Sequence, residues 1–160
     1  MKKLLLLAFI LIFSQNKAQE FKMINWDELQ NIVLQNDSTL YVVNFWATWC
    51  KPCIEELPGF MEVNRQNADN PKFKMILVSL DHKKSQKKVK NFIIKHEIEA
   101  EVYLLDENRP VMEWMKLADE NWAGAIPTTI FYKNGEKIFF HQMSMTQYEL
   151  EDLVEDGLDY

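Results

Sequence analysis

A chain of 160 residues with 18 basic and 24 acidic side chains carries a net charge of −6 at neutral pH. That balance argues against nucleic acid or an anionic membrane surface as a partner, and the length suits one domain with a sizeable core. The two cysteines and three scattered histidines do not fall at the spacings that complete a four-ligand zinc site.

The chain begins Met1-Lys2-Lys3, continues with ten apolar residues from Leu4 to Phe13, and turns polar up to Gln19. A charged start, a short apolar run and a polar end are the pattern of a secretory signal peptide. Ten apolar residues are too few to cross a bilayer, which takes about 20. We therefore expect residues 1–19 to be a signal peptide with cleavage after Ala18, an uncleaved anchor being the alternative, and residues 20–160 to form the domain. Export would place the protein in the periplasm, where disulfides form and persist. Without the leader, 15 basic residues face 24 acidic ones, a net charge of −9.

Beyond the leader, Phe21 to Ile24 predicts a short strand, and Asn25 with Glu28 a capping box opening a helix to about Gln35. Leu40 to Trp46 predicts a buried strand, rich in β-branched and aromatic residues. A helix follows from Cys50 to about Asn67, with apolar Ile54, Leu57 and Met61 at helical spacing. Next come a strand at Phe73 to Leu80 and a helix from Gln86 to His96 that Ser85 would cap. Val102 to Leu105 and Pro110 to Leu117 predict a further strand and helix. Thr128 to Lys133 and Lys137 to Gln142 flank Asn134-Gly135, a hairpin signal. Thr146 and Glu149 cap a last helix with Leu150, Leu153 and Val154 facing inward. Strands alternating with helices predict an α/β layer architecture. Lys83, Lys84, Lys87, Lys88 and Lys90 cluster on one predicted helix, which reads as a solvated face rather than a docking patch.

Both cysteines lie in Trp49-Cys50-Lys51-Pro52-Cys53. As a structural staple the pair closes so short a loop that the entropic gain is only about 2 kcal/mol. Thiol–disulfide exchange is the favoured reading. Cys50 falls at a helix start, where unpaired N–H groups and the helix dipole favour a thiolate, and Lys51 adds positive charge. Cys53 lies one turn inside. Cys50 is then the nucleophile and Cys53 the resolving thiol. Pro52 suits the first turn, where its missing N–H has no partner to lose.

The string Asn44-Phe45-Trp46-Ala47-Thr48-Trp49-Cys50-Lys51-Pro52-Cys53-Ile54-Glu55-Glu56-Leu57-Pro58, with Ala125-Ile126-Pro127-Thr128-Thr129-Ile130-Phe131 further on, resembles the TlpA/ResA-type exported branch of the thioredoxin superfamily. The resemblance covers about Phe21 to Tyr160. It implies a thioredoxin fold, a central mixed sheet flanked by helices, with an extra strand-helix insertion and a C-terminal hairpin plus helix. It implies a cis bond at Pro127, leaving the Ile126 backbone to meet an extended substrate; the alternative is an ordinary strand-entry proline. Pro58 would kink the active-site helix, unless that helix stops at Leu57. Glu56 would be a carboxyl under the site that relays the Cys53 proton, the alternative being a solvated face shared with Glu55 and Glu62. Asn44 stands where thioredoxin itself has a buried aspartate. Trp49, Lys51, Pro52 and Ile126 would form the surface that substrate meets, Trp46 would be core, and Trp122 would be either groove or core.

The function so implied is a monomeric protein-disulfide reductase without metal or organic cofactor, acting on oxidised periplasmic proteins, apocytochrome c among them, and recharged by a membrane thiol donor. A disulfide oxidase of the same fold and a binding or assembly module with a redox-switch CxxC are the alternatives. A peroxidase is disfavoured, with no further cysteine and no arginine near Cys50 in sequence.

Overall fold

The computed structural model describes residues 21–160. The signal-peptide expectation for residues 1–19 lies outside them. In chain order the elements are β1 (Lys22–Ile24), α1 (Trp26–Val33), β2 (Leu40–Trp46), α2 (Lys51–Gln66), β3 (Phe73–Ser79), a 3₁₀ turn (Lys83–Ser85), α3 (Gln86–Lys95), β4 (Glu101–Leu105), α4 (Val111–Ala118), β5 (Thr128–Lys133), β6 (Glu136–Gln142) and α5 (Gln147–Asp159). The strands form one sheet in the order β1-β4-β3-β2-β5-β6. β1, β4, β3 and β2 run parallel, and β5 and β6 are antiparallel. This is the mixed α/β sheet that the sequence predicts.

β2 is central and buried along its whole length. Its side chains alternate between two cores. Leu40, Val42 and Trp46 pack with α2, α3 and α5 on one face. Tyr41, Val43 and Phe45 pack with α1 and α4 on the other. The extra strand-helix unit is present: β4 is inserted between β1 and β3, and α4 covers the α1 face.

Local signals account for most boundaries. Asn25–Glu28 and Thr146–Glu149 both form complete capping boxes. Asn134 and Gly135 both have positive φ, 54° and 80°, as the tight hairpin turn requires. α2 continues through Pro58 to Gln66, so the helix does not stop at Leu57. Leu153 is only half-buried, against the core. Three expectations need correction. α1 ends at Val33, two residues early, because Leu34 leaves the helical conformation. α4 starts at Val111, with Pro110 as its N-cap. Ser85 makes no capping bond; instead the His82 side chain accepts the Lys84 N–H and opens the 3₁₀ turn that feeds α3.

Candidate active site

The buried β2 delivers the chain to the C-terminal end of the parallel strands, and α2 starts after four intervening residues. Cys50 is the α2 N-cap, with extended φ −88° and ψ 101°, and the Cys53 N–H donates to its Sγ at 3.3 Å. The two cysteines form a disulfide, with Cα atoms 5.3 Å apart. Cys50 is 5% exposed and Cys53 wholly buried, so only Cys50 faces solvent at all. Lys51 and Pro52 are exposed, and Lys51 pairs with Glu55 at 3.5 Å.

The loop before β5 closes the other side. The Ile126–Pro127 bond is cis, and the Ile126 carbonyl oxygen lies 3.7 Å from Cys50 Sγ. Trp122 Nε1 and Thr128 Oγ1 each donate to the Ala125 carbonyl at 2.9 Å, fixing that loop from behind. Trp122 is 1% exposed and packs on Phe45, with centroids 4.8 Å apart. It is core, and supports the loop rather than lining a groove. Trp46 is also core, against Phe92, whereas Trp49 is 63% exposed beside the disulfide.

Glu56, three residues after Cys53 on α2, is buried, while Glu55 and Glu62 sit in surface ion pairs. Its Oε1 accepts from Asn44 Nδ2 at 2.8 Å and its Oε2 from the Met145 N–H at 2.9 Å. Asn44 Nδ2 also donates to Thr129 Oγ1 at 3.1 Å, and Asn44 Oδ1 is buried without a partner. Burial penalises the charged carboxylate more than the bonds from Met145 and Asn44 favour it, and the Glu56 pKa is pushed up to about 7. A cleft of about 350 Å³ lined by Pro52, Glu55, Glu56, Gly59 and Ser144 to Gln147 borders this residue.

Sequence reasoning missed Asp81. It is buried just past β3 and accepts from the Thr48 N–H at 2.8 Å, Thr48 Oγ1 at 2.5 Å and Ser79 Oγ at 3.0 Å. These bonds hold the segment leading into Trp49 and Cys50. The one available signal was Ser79-x-Asp81 at a strand end, a common side-chain-to-backbone turn.

The model of the AhpC/TSA family matches residues 14–141. Thioredoxin-like protein YneN of Bacillus subtilis is 32% identical over 117 residues, 71% of this chain and 62% of its own. Thiol-disulfide oxidoreductase ResA of Oceanobacillus iheyensis is 32% identical over 116 residues, 72% of this chain and 55% of its own. The chain thus spans little more than half the length of these curated relatives. Among solved structures, StoA from Bacillus subtilis superposes with a TM-score of 0.59 at 24% identity, over 76% of this chain and 86% of that one. An uncharacterised thioredoxin-like protein from Porphyromonas gingivalis gives 0.59 at 27% identity, over 78% and 79%. The fold is that of the thioredoxins, with a cysteine pair at its helix start, and the chain belongs to the AhpC/TSA family, among relatives named as thiol–disulfide oxidoreductases.

Proposed function

We propose that the protein is an exported thiol–disulfide oxidoreductase that reduces disulfides of periplasmic proteins through Cys50 and Cys53. The observation that carries this reading is the placement of Cys50 as the α2 N-cap, its Sγ against the Cys53 N–H and the Ile126 carbonyl. A thiolate there is stabilised by the helix start, and the partly open face admits one sulfur of a substrate disulfide.

In the reduced enzyme, Cys50 thiolate attacks one substrate sulfur. An S–S bond forms, the substrate S–S bond breaks, and the other substrate sulfur leaves as a thiolate that takes up a proton. Cys53 then loses its proton to Glu56 and attacks Cys50 Sγ. The mixed disulfide breaks, the second substrate thiol is released, and the enzyme holds the Cys50–Cys53 disulfide. Two electrons have moved to the substrate, and a membrane dithiol donor restores the starting state. A carboxyl near pH 7 suits Glu56 to this transfer. Pro127 and Ile126 shape the surface opposite Cys50, with Trp49, Lys51 and Pro52 around it. Oxidised apocytochrome c is one substrate of this class. The apolar run in residues 4–13 and the exported character of the resembling branch support the periplasmic location.

Substrate trapping tests the cycle. Cys53→Ser should accumulate covalent mixed disulfides through Cys50, and Cys50→Ser should accumulate none. Equal, non-covalent retention of partners by both variants would establish a binding module instead.

A further inference from the structure

Asp81 is a buried carboxylate that the exchange of electrons does not use. It is 3% exposed and lies two residues past the end of β3. Both of its oxygens accept hydrogen bonds. Oδ2 takes them from the Thr48 N–H at 2.8 Å and Ser79 Oγ at 3.0 Å, and Oδ1 from Thr48 Oγ1 at 2.5 Å. The Asp81 N–H in turn donates to Ser79 Oγ at 3.1 Å, which ties the residue to the end of β3. No cation pairs with it among the described residues, and Lys83, two residues on, is taken by Asp106 at 3.2 Å. A charge buried without a counter-ion costs stability, and strong, charge-assisted bonds are needed to offset it. Two of those bonds go to one residue, Thr48.

Thr48 lies in the turn that carries the nucleophile. The Cys50 N–H donates to the Ala47 carbonyl at 3.1 Å, closing a four-residue turn with Thr48 and Trp49 at its centre. The Leu80 N–H donates to the Trp46 carbonyl at 2.8 Å, so the pairing of β2 with β3 reaches the turn and brings Asp81 to it. This turn sets where Cys50 stands at the start of α2. In the oxidised protein the bond between Cys50 and Cys53 fixes that position as well. Once the disulfide opens, the covalent constraint is gone and the turn takes over its task.

We propose that Asp81 is a positioning residue: it holds the Cys50 turn in the reduced protein, keeps the thiolate at the helix start, and so favours both attack and the dithiol form. The proposal rests on the reductase reading, in which Cys50 is the attacking thiol. Asp81 acts through Thr48 and touches no reacting atom.

The test compares Asp81→Ala, which removes all three side-chain bonds, with Asp81→Asn. The amide oxygen of Asn can still accept the Thr48 N–H, and its NH2 can donate to Thr48 Oγ1. Three readouts are taken on the whole protein: single-turnover reduction of a disulfide-bonded peptide by the pre-reduced protein, the pH midpoint of Cys50 alkylation by iodoacetamide, and the equilibrium with reduced and oxidised glutathione. For Asp81→Ala we expect reduction to slow about ten-fold and the alkylation midpoint to rise by about half a unit. The glutathione equilibrium should shift about ten-fold toward the protein disulfide. Asp81→Asn should stay close to the wild type in all three. Equal loss of stability by oxidised and reduced Asp81→Ala, with midpoint and equilibrium unchanged, would make Asp81 a purely structural residue and overturn the proposal. So would Asp81→Asn falling as far as Asp81→Ala, since the charge and not the turn bonds would then be responsible. If Asp81→Ala does not fold, Thr48→Val, which removes only the hydroxyl bond, should move the readouts in the same directions; no movement overturns the proposal. Should the wild type reduce no peptide, the reductase reading fails, while the alkylation midpoint and the glutathione equilibrium still decide the positioning role.

Discussion

Glu56 carries a carboxyl that the fold holds near pKa 7 against an ordinary 4.5, because desolvation outweighs its two hydrogen bonds. The folded state therefore keeps a proton that the unfolded chain gives up earlier. With the folded pKa raised, the stabilisation is fully present below about pH 4.5 and is lost as pH climbs to about 7. The size is at most about 3 kcal/mol. Glu56→Gln removes this titration and fits the site, since an amide N–H can donate to the unpartnered Asn44 Oδ1 once Asn44 flips. Urea unfolding at pH 4 and pH 8 should show the wild type losing ground to Glu56→Gln as pH rises. A constant difference between the two would mean that folding leaves the Glu56 carboxyl at its ordinary pKa. The same substitution should flatten the pH dependence of mixed-disulfide resolution around pH 7. At this scale the closeness of Cys50 and Cys53 follows from their spacing, whereas the cis bond at Pro127 and the burial of Glu56 were legible only through the resemblance of the surrounding strings. Asp81 was not, because its partner Thr48 lies 33 residues away and the pair of bonds between two loops leaves no period in the sequence.

Elements were most legible where a side chain closes its own turn. The two capping boxes and the Asn134-Gly135 hairpin involve residues at most three apart, so the sequence alone determines them. The start of α3 was less legible for a related reason: Ser85 has the right residue type, but the 3₁₀ turn begun by His82 leaves it without a capping bond. The helix then opens on an unfavourable arrangement of charge. Lys87 and Lys88 stand in the first turn of α3, which has no acidic residue, where the helix dipole favours acids. Lys87→Glu with Lys88→Glu should stabilise the domain by about 0.3–1 kcal/mol per site at low salt, with the gain fading at high salt. Thermal unfolding at two ionic strengths measures it. An unchanged melting temperature would remove the dipole argument.

Across the whole molecule, β2 ties two cores together and leads into the reactive pair, so redox state and global stability are linked. The α/β class followed from alternating periodicities, but the cavity of about 430 Å³ bounded by Trp49, Leu80, Leu105 and Ile126 did not. It is assembled from loops after three strands, and its existence depends on strand order, which no local pattern encodes. The direction of electron flow is likewise a property of the entire fold. Oxidised and reduced domains differ in unfolding free energy by the gap between the potential of the folded couple and that of the same cysteines in the unfolded chain, about 1.4 kcal/mol for each 30 mV. Two forces oppose each other at this site. The helix start and the Cys53 N–H favour a Cys50 thiolate and so the reduced form. Burial of both sulfurs, within a core that includes Trp46 and Leu57, disfavours thiolates and so favours the disulfide. A reductase requires burial to win, and the oxidised domain should then have the higher urea midpoint, its unfolding free energy exceeding that of the reduced domain by about 1.4 kcal/mol for each 30 mV of that gap. Paired denaturation curves with and without dithiothreitol decide it. If the reduced domain is the more stable, as in the strong oxidants whose reduced form is favoured, electrons flow the other way and the protein donates disulfides.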